Sequence, residues 1–298
     1  MIKILKIEDK NTLRLDKYLK IKFSALTQSF IEKNIRKKNI LVNNSRTSAK
    51  YIIKENDLVK ILNFHSDLYK NKIILKKNIL IPRKTSELFK KSIIYQDQNF
   101  MILNKWSTIA TQGGSKINIS IDDIIKSISP DYRLVHRLDK DTSGLLIIAK
   151  NLNSAKIFGK LFKSSLIQKT YIALCEGKPK QKESNVLLDI KNKEDKIEHT
   201  KTHYKILDIQ NNISLIQYKP LTGKTHQLRI VSKNLGCSII GDNKYNGYSK
   251  FNNEDLKLNA YNLKFIFNDK KYEFFSELSK DFYYFLKKYK FKDLKRYI

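Results

Sequence analysis

The sequence predicts an α+β protein in two parts, and three observations lead there. Apolar residues recur at helical spacing over 13–35, 119–128, 152–163 and 278–289. Between those stretches lie short apolar or alternating runs bounded by turn residues, as strands require. The 298 residues suffice for two domains with a full core in at least one of them. These features agree with an α+β arrangement but do not specify how its layers pack.

The first part spans 13–62. Leu13, Leu15, Tyr18 and Leu19, then Phe23, Leu26, Phe30, Ile31 and Ile35, give two short amphipathic helices broken near 23–27, with Thr27 or Ser29 as the cap of the second. Residues 39–44 read as a strand entering a turn, and 57–61 as a second strand. The stretch 63–88 has no clear period, includes Pro82 and is taken as a linker, with room for short strands at 73–75 and 79–81.

The second part, 89–298, opens with a hairpin. Its strands are Ile93-Ile94-Tyr95 and Phe100-Met101-Ile102-Leu103, turning at Asp97-Gln98-Asn99. A helix over 119–128 is closed by Pro130. Next comes Arg133-Leu134-Val135-His136-Arg137-Leu138-Asp139-Lys140-Asp141-Thr142-Ser143-Gly144, running into the aliphatic stretch 145–149. That order holds a carboxylate at the edge of a buried strand, beside small residues that let a ligand approach the backbone. On residue chemistry alone, a surface turn with an ordinary Asp–Arg pair is the favoured reading. A helix over 152–163 and a strand over 169–174 follow; Tyr171 lies within that strand, where a core role is the ordinary one. A terminal helix carries Phe282, Phe285, Leu286 and Tyr289 on one stripe.

Composition narrows the function. The net charge is +30, from 59 Lys and Arg against 29 Asp and Glu, which points to a polyanionic partner, most simply nucleic acid. Only eight of the 59 are arginines, and the lysines are spread along the chain, so part of the surplus is general composition. Cys175 and Cys237 are too few for a disulfide framework or a CxxC metal site and suit a reducing compartment. The first ten residues are too often charged for a signal peptide, and no apolar run approaches a membrane span. A cytoplasmic, membrane-free protein is expected. His199 and His203 lie in a strand-like stretch that would separate their rings by roughly 13 Å, with no third ligand nearby, so no metal is expected. Gly223-Lys224-Thr225 has Tyr218 where a P-loop needs its first glycine, so no nucleotide cofactor is expected.

His136-Arg137-Leu138-Asp139 followed by Thr142-Ser143-Gly144 and an aliphatic strand resembles the catalytic motif of the RluA-type pseudouridine synthases. The resemblance continues through Lys169-Thr170-Tyr171, through Pro220-Leu221-Thr222-Gly223-Lys224-Thr225-His226-Gln227-Leu228-Arg229-Ile230, and through Gly241-Asp242 and Tyr245. Gln112-Gly113-Gly114-Ser115 resembles a subfamily acting on large-subunit ribosomal RNA. Where the family usually reads Asn-Lys-Pro this chain has Asn104-Lys105-Trp106, a change that bears on turn geometry, since proline is not a reacting group. Ahead of these motifs, Arg14-Leu15-Asp16-Lys17-Tyr18-Leu19, residues 31–36, Val42-Asn43 and Asp57-Leu58-Val59 resemble the S4 RNA-binding domain.

The resemblance implies a small S4 domain at 13–62 and a synthase domain at 89–298, the latter a mixed, largely antiparallel sheet with flanking helices and a central cleft. It implies Asp139 as nucleophile, Tyr171 against the flipped uracil, Arg229 paired with Asp139, Leu228 lining the uracil pocket and Arg137 filling the space the base leaves. Arg14, Lys17, Lys33, Arg36, Lys37 and Lys38 become phosphate contacts, which position an RNA without reading its sequence. Breaking N1–C1′ and rejoining the ring through C5 involves no net redox change, which accords with the lack of a cofactor motif; a carboxylate suffices. Attack at C6, attack at C1′ and proton abstraction at the 2′ carbon all remain open. The expected substrate is 23S-type ribosomal RNA and the expected state a monomer. Another ribosomal or transfer RNA uridine, or a non-catalytic S4-type assembly factor, are the alternatives.

Overall fold

The computed structural model describes residues 1–8, 13–70, 80–114, 117–192, 195–247, 249–251 and 253–297. The chain forms two compact units, Met1–Asn78 and Ile79–Ile298.

The first unit contains β1 (Lys3–Lys6), α1 (Leu15–Lys22), α2 (Gln28–Arg36), β2 (Ile40–Val42) and β3 (Leu58–Ile61), with an antiparallel sheet in the order β1-β3-β2. The helices close over it because Leu15, Leu19, Ile31 and Ile35 fall on the faces that meet Ile40, Val59 and Ile61. Thr27 caps α2 by accepting from the Phe30 N–H at 3.1 Å. β1 was not expected, since its lysines conceal the one fully inward residue, Leu5. Buried Asp57 ties the unit together. It accepts from Asn43 Nδ2 at 2.8 Å, the Tyr51 hydroxyl at 3.1 Å and the Lys54 N–H at 2.8 Å.

The second unit begins with α3 (Arg83–Lys91), β4 (Ile93–Gln96), β5 (Phe100–Lys105), α4 (Ile121–Ile128), β6 (Arg133–Leu134), β7 (Ser143–Ala149) and α5 (Leu152–Lys163). It continues with β8 (Gln168–Glu176), β9 (Glu183–Lys191), β10 (Ile197–Gln210), β11 (Ile213–Pro220), α6 (Gln227–Asn234), β12 (Leu258–Phe267), β13 (Lys270–Phe275) and α7 (Lys280–Lys288). The sheet order is β4-β5-β7-β12-β8-β11-β10-β9, with β13 beside β12 and β6 beside β7. Every pairing is antiparallel except β7 with β12. This is the mixed, largely antiparallel sheet that the resemblance implied.

At the β7–β12–β8 junction Ala260 stands opposite both Gly144 and Tyr171. Gly144 has φ +107°, and a β-carbon there would lie 2.4 Å from the Ala260 oxygen, so only glycine lets the two strands approach. One face carries α4 and α6, through Ile121, Ile124, Leu228 and Val231; α7 covers the other through Phe282, Phe285 and Leu286.

The segment expected to be a linker carries α3 over its last residues. That helix starts after Pro82 and buries a single side chain, Phe89, which leaves no apolar period to read. The short strand considered at 73–75, and residue 79, lie outside the described residues; Leu80 and Ile81 are not strand. No helix among the described residues is long and apolar enough to cross a membrane.

Burial opposes ionisation of Asp57, but the hydrogen bonds from Lys54, Asn43 and Tyr51 outweigh it and hold its pKa below the usual value. Its stabilising contribution is therefore full above the unfolded value, about 4, and is lost as pH falls through the lower folded one. Asp57→Asn is expected to destabilise this unit by about 1–3 kcal/mol at pH 7, with the gap from wild type closing on acidification. Hydrogen exchange of the β2 and β3 amides against pH would measure it, and a gap independent of pH would contradict the assignment.

Candidate active site

Residues 135–142 form the loop that feeds β7, and they are pinned through the backbone. The Leu138 N–H donates to Thr111 Oγ1 at 3.1 Å, and the same hydroxyl donates to the Leu138 oxygen at 2.7 Å. Lys105 Nζ donates to the carbonyls of Lys140, Ile109 and Trp106 at 3.0–3.1 Å, a full set of acceptors for one ammonium. Burial draws its pKa down to about 7, against the pull of Asp141 and Asp139. The Ile147 N–H donates to His136 Nε2 at 2.8 Å, which fixes the proton on Nδ1. Burial, with Lys169 nearby, lowers the His136 pKa to about 3, so the ring is a neutral strut packed at a tilt against Phe162, with centroids 4.7 Å apart.

Asp139 sits at the centre of this clamp with a side chain 20% exposed. Among the described residues no donor reaches its oxygens within hydrogen-bond distance; the imidazole of His226 stands nearby, its Nε2 3.9 Å from Oδ1. His226 occupies the left-handed region at φ +56°, where α6 begins, and its Nδ1 meets the Tyr245 hydroxyl at 2.9 Å. Burial holds its pKa below the ordinary value; Asp139 opposes that effect and Arg229 and Lys244 reinforce it.

Arg229 corrects one expectation. It faces the same cleft as Asp139 but is not its direct ion partner. Its guanidinium is bound bidentately to Asp242, Nε to Oδ2 at 2.8 Å and Nη2 to Oδ1 at 2.6 Å, and both side chains are buried. Asp242 also accepts the N–H groups of Lys244 and Tyr245, each at 3.1 Å, and so sits in the turn that follows α6 with a geometry suited to a fork of two donors. Burial lowers the Arg229 pKa, but Asp242 and, more remotely, Asp139 outweigh it. The acid that orients Arg229 is thus thirteen residues along the chain, and the charge reaches Asp139 through space.

Two openings meet at Asp139. A cavity of about 710 Å³ is lined by Thr111, Gln112, Arg137, Arg229 and Lys244 among others. A narrow crevice of about 110 Å³ is lined by Tyr171, Leu228, Leu258, Lys169, Arg137 and Asp139. Tyr171 is half-buried, and its hydroxyl makes no hydrogen bond among the described residues. Burial, with Asp139 nearby, raises its pKa, so the phenol keeps its proton. Arg137 is exposed and lines both openings.

The cleft thus brings together Asp139, Arg137, Tyr171, Leu228 and Arg229. The remaining sequence candidates lie in the first unit. Lys17, Lys33, Arg36, Lys37 and Lys38 are exposed, whereas the Arg14 guanidinium is bound to buried Asp16, at 2.5 and 3.1 Å. Sequence reasoning gave no role to His226, Asp242, Tyr245, Lys105 or Lys169. The signal present was position: four of these five fall inside quoted motifs, and Lys105 sits in the corner noted for Trp106. His199 and His203 each meet an acid of β9, Asp189 at 2.6 Å and Glu183 at 3.0 Å, as cross-strand pairs do. No metal-ligating cluster occurs among the described residues. Of the Gln-Gly-Gly-Ser segment, Ser115 lies outside the described residues.

Residues 99–234 match the family described as RNA pseudouridylate synthase, and residues 13–59 match the S4 domain. The ribosomal large subunit pseudouridine synthase C of Rickettsia bellii is 39% identical over 262 residues, covering 80% of this chain and 86% of that protein. Its namesake from Vibrio parahaemolyticus is 32% identical over 276 residues, covering 87% and 86%. Among solved structures, human RNA pseudouridylate synthase domain containing 4 gives a TM-score of 0.62 at 22% identity, covering 70% of this chain and 96% of that one. At that identity the likeness concerns the fold.

Removing one partner of a buried ion pair orphans the other, at a cost of about 3–5 kcal/mol. Arg229→Ala is therefore expected to lower the unfolding free energy of the second unit by about that amount, and Arg229→Ala/Asp242→Ala by less than the sum of the two single changes. Urea denaturation of the four proteins measures the coupling; additive losses would show that the pair is not a unit.

Proposed function

The chain belongs to the RNA pseudouridylate synthase family, and from that membership we propose that it converts uridines of large-subunit ribosomal RNA to pseudouridine in the crevice beside Asp139. The observation that carries this reading is convergence. A carboxylate that no donor reaches among the described residues, a protonated phenol, three leucines and a buried guanidinium meet around one narrow opening. The substrate class is that named for the Rickettsia and Vibrio relatives.

A uridine must leave its stack to enter, at a cost of a few kcal/mol. The extruded ring lies between Tyr171 and Leu228, with Leu258 beneath it, a setting that favours a flat base over water. Asp139 then acts on the nucleotide. Whether at C6, at C1′ or at the 2′ carbon, the balance is the same: N1–C1′ breaks, the uracil turns, C5 joins C1′, the C5 proton passes to solvent and N1 takes one up. Tyr171 offers the ring an O–H that has no partner among the described residues. Arg229, oriented by Asp242, keeps positive charge beside the reacting carboxylate. Arg137, exposed at the mouth, fills the space the base vacates. The S4 domain holds RNA backbone through Lys17, Lys33, Arg36, Lys37 and Lys38, in keeping with the surplus of positive charge.

Tritium release from ribosomal RNA labelled at uridine C5 tests the chemistry. Asp139→Asn is expected to reduce release on the order of 10³-fold or more while RNA affinity stays within about twofold of wild type; full release from the variant would remove Asp139 from the mechanism. Arg137→Ala is expected to suppress the rise in fluorescence of a 2-aminopurine placed beside the target uridine. An unchanged signal would mean that another group supports the flipped state.

A further inference from the structure

Lysines that are not exposed sort into two kinds. Lys60 reaches Asn44, Lys105 three carbonyls, Lys150 the Asp97 carbonyl, Lys224 a Glu198 oxygen, and Lys257 the Asp281 carboxylate with the Asp255 carbonyl. Among these, Lys169 alone is half-buried with no acceptor among the described residues. Its ammonium lies against the turn after β11, 3.9 Å from where a β-carbon on Gly223 would stand. Removing an ammonium from water without a partner is costly, and burial lowers its pKa accordingly. A site that holds such a group open is complete only when a ligand brings the anion.

The position selects which anion. Lys169 lies on β8 two residues before Tyr171, so both side chains project from the same face of the strand. It lines the crevice that holds Tyr171 and Asp139. With Pro220, it also lines a neighbouring cavity of about 490 Å³ bordered by Lys219, Leu221 and Phe275. The ammonium therefore stands at the doorway between a base-sized crevice and a space large enough for a further nucleotide. The group of an RNA chain found at such a doorway is the linkage between two nucleosides.

We infer that Lys169 binds the phosphodiester joining the extruded uridine to its neighbour, anchoring the flipped nucleotide by its backbone while Asp139 works on the ring. This rests on the reading of the crevice as the uridine site. Unlike Lys105, Lys169 contacts no backbone of the Asp139 loop among the described residues, so its role is in substrate binding.

The experiment uses the full chain carrying Asp139→Asn, so that nothing turns over, and a ribosomal RNA fragment that the wild-type enzyme modifies by tritium release. Copies of the fragment carry one neutral methylphosphonate either 5′ or 3′ of the target uridine. Lys169→Ala is expected to weaken binding about tenfold and to flatten the dependence of log K on log salt by about 0.7–0.9. One of the two neutral linkages should cost the Lys169 parent a similar factor and cost Lys169→Ala nothing further. Lys169→Arg should restore affinity, and thermal unfolding of Lys169→Ala should match the parent, since no native partner is orphaned. Additive penalties at both linkages, or unchanged affinity and salt slope, would overturn the inference. Unchanged affinity with slower single-turnover chemistry in the otherwise wild-type enzyme would assign the ammonium to a uracil oxygen instead. A chain that modifies no fragment fails the parent reading first, and that failure is read from tritium release alone.

Discussion

Asp139 stands on a backbone held from both sides, while among the described residues no donor reaches its own carboxylate. Thr111 holds both polar groups of the Leu138 backbone, and Lys105 holds the Lys140 carbonyl. His136 accepts the Ile147 N–H from β7. Positioning a reactive group through its neighbours' peptide groups fixes where it sits without occupying the oxygens it needs. A carboxylate fixed instead by several N–H donors would be well placed but a weaker nucleophile, since those bonds would have to weaken as it reacted.

The same constraint reaches Tyr171 through the sheet. β12 runs parallel to β7 and antiparallel to β8, so Ala260 is flanked by Gly144 and Tyr171 in one transverse row. Gly144 lies five residues after Asp139, and its lack of a β-carbon sets how closely β7 meets β12. The separation of Asp139 and Tyr171 thus follows from backbone packing at the centre of the sheet, where exchange with solvent is least. The third participant, α6, reaches the site differently: His226 turns the chain in a left-handed conformation, and the helix then presents Leu228 and Arg229.

How much of this was legible in the sequence depended on where the information lay. The periods of α1, α2, α4, α5 and α7 are visible because each helix buries several residues at regular spacing. α3 buries one residue and so leaves no pattern, whereas β9 alternates Val186, Leu188 and Ile190 inward, with Leu187 breaking the alternation in the sequence. Asp139, Tyr171, Leu228 and Arg137 could be singled out as candidates because the motifs that carry them are contiguous, and they line one cleft. The partner of Arg229 was assigned to Asp139 rather than Asp242, because the fork-to-fork geometry depends on a turn between α6 and Asp242 that composition does not reveal. Arg14 looked like a free cation for a similar reason: nothing in Arg14-Leu15-Asp16 says that Asp16 is buried and turns back on it.

A surplus of thirty positive charges explains attraction to RNA but not where a uridine is opened. Lysines spread over a surface give binding that is strong at low salt and indifferent to position. Selectivity for a site requires cations whose freedom has been removed, and the cleft treats its own in graded ways. Lys105 is committed to carbonyls and serves the backbone. Arg229 is committed to Asp242 and contributes its field, being too tightly paired to follow a substrate. Arg137 and Lys169 have no acceptor among the described residues, the first exposed at the mouth and the second set back at the inner doorway. An ammonium without a protein partner raises the energy of the empty site, and that energy is released only by a chain whose phosphate reaches it while a base fills the crevice. RNA that merely lies on the surface would meet the scattered lysines and leave this one unsatisfied, so the half-buried cation separates bound RNA from RNA that is bound and opened.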